Sequence, residues 1–249
     1  MNMKRLLVLG VLAALAACSP KQDAAHEPAA QAKEPAPVAA APAEQPVDVP
    51  AGAYTIDPMH TSVLFRVDHL GFSNYTARFK KSTAQLQFDP NNLAASTVNV
   101  AVDTKSLETD FPDPAKLDFN AELTGEKWLD AAKYPEITFR STSVEPTGAR
   151  TMRINGELTL RGVTRPMVLE ARFNGGYRGH PMDPNARIGF SATGVLKRSE
   201  FGISYGIPAP GTTMGVSDAV NVIVETEFSG PPLAKSAEAA ATGAGGQAK

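Results

Sequence analysis

Between residues 54 and 228 apolar side chains return at every second position in one run after another, and this alternation restricts the fold more than any other feature. In residues 61–68, Val63, Phe65 and Val67 share one face, against Ser62, Leu64, Arg66 and Asp68 on the other. Val98, Val100 and Val102 alternate with Asn99, Ala101 and Asp103, and Ile137 and Phe139 with Glu136, Thr138 and Arg140. The pattern continues through Met152, Ile154, Leu158 and Leu160, then Met167, Leu169, Ala171 and Phe173. It ends with Ile188, Phe190, Ala192, Gly194 and Leu196, and with Val220, Val222, Val224 and Phe228. With residues 54–56 and a weaker run over 78–88, these segments predict about nine strands.

Turn-forming clusters separate the runs: Asp89-Pro90-Asn91-Asn92, Pro146-Thr147-Gly148, Arg161-Gly162-Val163-Thr164 and Asn174-Gly175-Gly176. Links this short make neighbouring strands antiparallel. One apolar face per strand implies a single continuous interior, which either a sandwich or a closed barrel provides. One insertion breaks the alternation. Asp113-Pro114 reads as an N-cap and first helical position, leading to Ala115, Lys116 and Leu117 and then Ala121 to Leu123. After Gly125 a second short turn carries Trp128 and Leu129 and stops at Tyr134-Pro135.

The ends of the chain differ in kind from this domain. Lys4 and Arg5 precede an apolar run over residues 6–14, too short for the roughly 20 apolar residues a bilayer requires. The run leads to Leu15-Ala16-Ala17-Cys18, which resembles the processing site of a bacterial lipoprotein, with Cys18 as the lipidated residue. Residues 1–17 then form the signal peptide. Ser19 is not the aspartate that retains such proteins at the inner membrane in enteric bacteria, so the expected location is periplasmic, anchored to the outer membrane. Alanine and proline make up 17 of residues 19–50, which predicts a disordered tether over 18–52 with a reach on the order of 100 Å. Residues 53–230 form the folded domain, and 231–249 an Ala/Gly/Pro-rich tail.

Reactive groups are few. Cys18 is the only cysteine, so a disulfide or a thiolate site inside the domain is excluded. His60, His69 and His180 lack metal-ligand spacing, and a surface or structural role is favoured for each. No nucleophile elbow or phosphate-cradling glycine loop is present. Lys4 and Arg5 are the two basic residues ahead of Cys18, so 22 of the 24 basic and all 26 acidic residues follow it, a net of −4. That balance, with no basic stripe, excludes nucleic acid as a partner. The phenylalanines of the alternating runs either pack a core or line a tunnel. A barrel of about eight strands permits both, and the small inward positions Gly156, Ala171, Ala192 and Gly194 favour the tunnel.

Several blocks resemble the YceI-like, polyisoprenoid-binding, lipocalin-like family: Tyr54-Thr55-Ile56-Asp57, His60 to Phe65 and Asp68-His69-Leu70-Gly71. Lys133 to Phe139 follows, then Gly156-Glu157-Leu158-Thr159-Leu160-Arg161-Gly162-Val163-Thr164. Gly189 to Ala192, Arg198-Ser199-Glu200-Phe201-Gly202 and Val216 to Val220 complete the series in order. The resemblance implies an all-β fold, an extended eight-stranded antiparallel lipocalin-like barrel with the short helical insertion. It also implies a non-catalytic protein that holds a long amphiphile such as an isoprenoid or fatty-acyl lipid; no cofactor or metal is expected. The departure is Asp118 to Leu123, where many members carry an Arg-Asp-x-His-Leu stretch.

The expected ligand-lining residues are Val63, Phe65, Val67, Phe139, Ile154, Leu158, Leu169, Phe190 and Val222, with Phe72 and Trp128 at a mouth. The expected function is to sequester or carry one long-chain apolar amphiphile (polyisoprenoid, quinone-like or fatty-acid derivative). The expected partners are that lipid and the membrane through Cys18; an isologous homodimer is compatible with the chain, though nothing in the sequence establishes it. Two rival readings are an accessory role in isoprenoid-quinone redox chemistry and a structural envelope lipoprotein with a packed core.

Overall fold

The computed structural model describes residues 48–232; the signal segment, Cys18, most of its tether and the tail beyond Pro232 lie outside the described residues. The elements are β1 (Gly52–His69), β2 (Ser73–Phe79), β3 (Ser82–Phe88), β4 (Thr97–Asp103), β5 (Leu107–Glu108), α1 (Phe119–Thr124), β6 (Glu136–Pro146), β7 (Thr151–Leu160), β8 (Val163–Tyr177), β9 (Asn185–Lys197) and β10 (Val216–Pro232). Eight of the strands close a barrel in the order β1, β3, β4, β6, β7, β8, β9, β10 and back to β1, every pair antiparallel. Closure removes both sheet edges, leaving an inner and an outer face.

The two segments expected at 54–56 and 61–68 are one strand. β1 runs through both, and its pairing with β10 slips between Asp57 and Ser62. The irregularity reverses which parity faces inward, so Ile56 and Val63 line the same interior. Conversely, the single weak run at 78–88 is two strands. β2 and β3 both pair antiparallel to β1, one after the other along its length, and break at Lys80-Lys81. The turn between β7 and β8 fulfils the hairpin expectation: Leu160 pairs with Val163, and the two residues between them, Arg161 and Gly162, have φ of 50° and 71°.

Asp57 anchors the β1 irregularity. Its carboxylate accepts from the Met59 amide at 2.9 Å, His60 Nδ1 at 3.0 Å and Arg187 Nη1 at 2.6 Å. The hydrogen bond from His60, joined by those from Met59 and Arg187, outweighs burial and holds the carboxyl down to about 2. A depressed carboxyl stabilises the fold above its ordinary pKa, and that contribution is lost as pH falls from about 4 through 2. Asp57→Asn is therefore expected to remove on the order of 1–2 kcal/mol at pH 6 and to flatten the acid limb between pH 4 and 2. Urea unfolding across that range measures it; an unchanged acid limb contradicts the assignment.

The helical insertion starts later than expected. Asp113-Pro114 makes only a turn, with the Lys116 and Leu117 amides donating to the Asp113 carbonyl. The N-cap is Asp118, whose side chain accepts from the Ala121 amide at 2.9 Å. Apolar anchoring decides between the two: Leu117 is exposed, whereas Phe119 and Leu123 pack with Ala77 and Leu107. Asn120 accepts from both the amide and the hydroxyl of Thr109, fastening α1 to the segment after β5.

At the opposite end the folded part reaches into the expected tether. Val49 is only 4% exposed and joins the core with Tyr54, Phe88 and Phe173. Tyr54 is fully buried and donates to the Pro50 carbonyl at 2.6 Å. One valine in a proline-rich run gives no periodic signal, so this docking was invisible in the sequence.

Candidate ligand cavity

The barrel interior is not filled. A cavity of about 690 Å³ runs between the aromatic end of the core and the segment that carries α1 and Trp128. This lies within the roughly 300–1,000 Å³ of typical small-molecule sites. Its wall is almost wholly apolar and draws on every barrel strand. Val63, Phe65 and Val67 enter from β1, Phe139 from β6, Ile154 and Leu158 from β7, Leu169 from β8, Phe190 from β9 and Val222 from β10. The register places Phe65 opposite Val222 across the β1–β10 closure, so the first and last strands meet in the wall.

All the expected lining residues except Phe72 therefore come together here. Phe72 sits in the β1–β2 turn after Leu70 and Gly71 and is 81% exposed, outside the cavity wall. The turn directs it outward, and Tyr75, from the start of β2, lines the cavity instead. The small positions also divide. Ala171 and Ala192 line the open space. A Cβ on Gly156 would lie 2.3 Å from the Phe139 ring, and one on Gly194 would lie 2.8 Å from Met167 Cε, so neighbours already fill those two sites.

The two ends differ. At one, Phe88, Phe173 and Phe190 pack mutually, tilted or edge-on, with ring centroids 5.3–5.5 Å apart, and Phe228 meets Phe190 edge-on at 6.1 Å. At the other, Phe119, Leu123, Trp128 and Leu129 lie over the cavity. Phe119 and Leu123, from the stretch Asp118 to Leu123, thus help to cover one end. Arg161 clamps it there: its Nη1 donates to the Trp128 carbonyl at 2.9 Å and to the Gly202 carbonyl at 3.2 Å.

Two polar groups in this end stand out from the apolar wall. Arg198 follows β9 directly, is 3% exposed and lines the cavity. Its Nε donates to the Ser217 carbonyl (2.9 Å), Nη1 to those of Ile203 (3.1 Å) and Tyr205 (2.7 Å), and Nη2 to that of Val216 (2.7 Å). Burial pulls its pKa down, against the attraction of Asp218. The guanidinium lies 5.3 Å from the Trp128 ring centroid, and Tyr205 packs edge-on against the same ring at 5.5 Å. The indole Nε1 of Trp128 is buried and has no hydrogen-bond partner. The sequence marks Trp128 as a mouth residue and Arg198 only as part of a motif, because an arginine at a strand end ordinarily signals solvent.

The histidines lie elsewhere or on the rim. His60 Nδ1 is 3.8 Å from Glu227 as well as 3.0 Å from Asp57, a grouping of donors close enough for a cation. Arg187 already holds the same Asp57 oxygen, so a cation there would have to displace a guanidinium. His180 pairs by its backbone with Asp183, and His69 lines the cavity rim.

A closed antiparallel barrel around one apolar cavity defines a lipocalin-like protein. Residues 54–228 match the YceI-like domain, and the chain belongs to that family. It is 37% identical to protein YceI of Escherichia coli O157:H7 over 180 residues, covering 71% of this chain and 86% of that one. The crystal structure of a Campylobacter jejuni YceI protein superimposes with a TM-score of 0.55 at 28% identity, covering 66% of this chain and 90% of that one. A polyisoprenoid-binding domain from Saccharophagus degradans shares the fold at 14% identity, with a TM-score of 0.50 over 72% of this chain and 98% of that domain.

Proposed function

We propose that this protein binds one long apolar amphiphile, a polyisoprenoid, quinone-like or fatty-acyl lipid, inside the barrel, and sequesters or carries it in the periplasm. The observation that carries this reading is the apolar cavity of about 690 Å³ within a closed wall. Each buried CH₂ contributes about 0.8 kcal/mol, so ten methylenes supply roughly 8 kcal/mol before ordering costs are subtracted. Affinity then comes from chain length rather than from many polar contacts, as expected of a binding protein rather than an enzyme. The shared fold of a domain described as polyisoprenoid-binding points the same way. A filled structural core, the rival reading, offers no such volume.

The anchor belongs to the same proposal. Lipidation at Cys18 with a tether of about 100 Å reach would keep the barrel near a membrane and free to reorient. Membrane fractionation of cells expressing the full chain tests the location.

For the binding itself, saturated alcohols of increasing length should displace the neutral probe N-phenyl-1-naphthylamine with about tenfold greater affinity for every two methylenes, until the cavity is full. Affinity independent of chain length would overturn the proposal.

A further inference from the structure

Arg198 and Trp128 present an anomaly that packing does not resolve. A guanidinium has five N–H donors, and the carbonyls of Ser217, Ile203, Tyr205 and Val216 take four. The fifth, on Nη2, has no acceptor among the described residues, and neither has the indole N–H beside it. Nor does any carboxylate of the described residues lie within 4 Å of Arg198. Asp218, the acid that acts on it electrostatically, spends both oxygens on the amide and hydroxyl of Ser199, each at 2.8 Å.

A buried cation without a counter-ion and a buried unpaired N–H are both costly, and an anionic acceptor is what each lacks. The guanidinium lies over the indole ring, 5.3 Å from its centroid, so the two groups share one end of the cavity. Other positive charge gathers at the same place. Arg161 holds the Trp128 carbonyl, and Lys127 Nζ lies 5.2 Å from the Tyr205 ring centroid, over the ring that packs against Trp128. At the opposite, aromatic end the polar groups in the wall are hydroxyls such as those of Thr61 and Thr226, which hydrogen-bond each other at 3.0 Å, with no charged side chain among the lining residues there.

We infer that Trp128 Nε1 and the free N–H of Arg198 form the head-group subsite of the cavity, selecting an amphiphile whose head is an anionic oxygen acceptor, a carboxylate or phosphate. This rests on the proposed lipid-binding function and specifies it: the chain points toward Phe88 and Phe190, and the head lies beneath the segment carrying α1. The clamp from Arg161 acts as a positioning contact, because it fixes the backbone from which the indole projects.

Trp128 is the only tryptophan in the chain, which makes the test specific. Palmitate, 1-hexadecene and hexadecyltrimethylammonium (below its micellar concentration) are compared by displacement of N-phenyl-1-naphthylamine from the full-length protein. The indole N–H resonance of ¹⁵N-labelled protein is followed in parallel. Palmitate is expected to displace the probe at least tenfold more effectively than the cationic amphiphile, and to move the indole proton downfield where hexadecene does not. Trp128→Phe should weaken palmitate about fivefold more than it weakens hexadecene, with circular dichroism confirming the fold. The inference is overturned if the anion and cation bind alike, if bound palmitate leaves the indole resonance in place, or if Trp128→Phe weakens both ligands equally. Failure of hexadecene itself to displace the probe would instead overturn the proposed function.

Discussion

Ala192→Trp is expected to abolish uptake of a long hydrocarbon chain, lowering affinity at least a hundredfold, while the protein stays folded with stability within about 1 kcal/mol of the parent. Ala192 lines the open cavity midway along β9, opposite Ala171 on β8 and Val224 on β10. An indole placed there enters empty space, and its own buried surface offsets the strain. In a packed core the same change would force neighbours off their rotamers and cost about 1–3 kcal/mol or more. Urea unfolding and probe displacement on one preparation therefore separate a binding barrel from a structural one. Loss of binding with stability retained fits the cavity; a large destabilisation fits a filled interior.

The second large effect concerns folding. Arg198→Ala removes the donor group from four backbone carbonyls between Ile203 and Ser217 and leaves a hole beside Trp128. Each buried carbonyl left unsatisfied costs about 1–3 kcal/mol, and partial rehydration recovers some of it. With four carbonyls affected and part of the cost recovered, the net expectation is a loss of about 3–5 kcal/mol, which at this chain length lowers the melting temperature by roughly 10 °C or more. Lysine at the position should recover little, since a point-charge ammonium has three donors and no planar fork. Calorimetry measures both variants. A melting temperature within a degree or two of the parent for Arg198→Ala would mean that the loop between β9 and β10 does not depend on this residue.

The barrel was legible because one face of nearly every strand is apolar, and period-two alternation survives without any knowledge of neighbours. Most of the cavity wall was legible for the same reason: Phe65, Phe139 and Val222 lie on the inner parity of their strands and arrive where that parity places them. What failed were features set by the third dimension. The slip between Asp57 and Ser62 shifts the inward phase, so one strand read as two. Phe72 has the composition of a mouth residue, but turn geometry points it into solvent. Asp113 and Asp118 are equally good caps locally, and the choice rests on whether an apolar face follows that can reach Leu107. Gly156 and Gly194 suggested open space, but side chains from adjacent strands occupy it. Arg198 was the least legible, because only the folded loop shows that its partners are carbonyls rather than water.

The central claim is that the barrel houses one long apolar chain, and the most direct measurement is solvent extraction of the gently purified full-length protein followed by mass spectrometry. The expected result is a long-chain amphiphile at close to one molecule per barrel, absent from an Ala192→Trp preparation handled identically. A protein that emerges free of any such molecule, and that then fails to take up an added chain, would contradict the account.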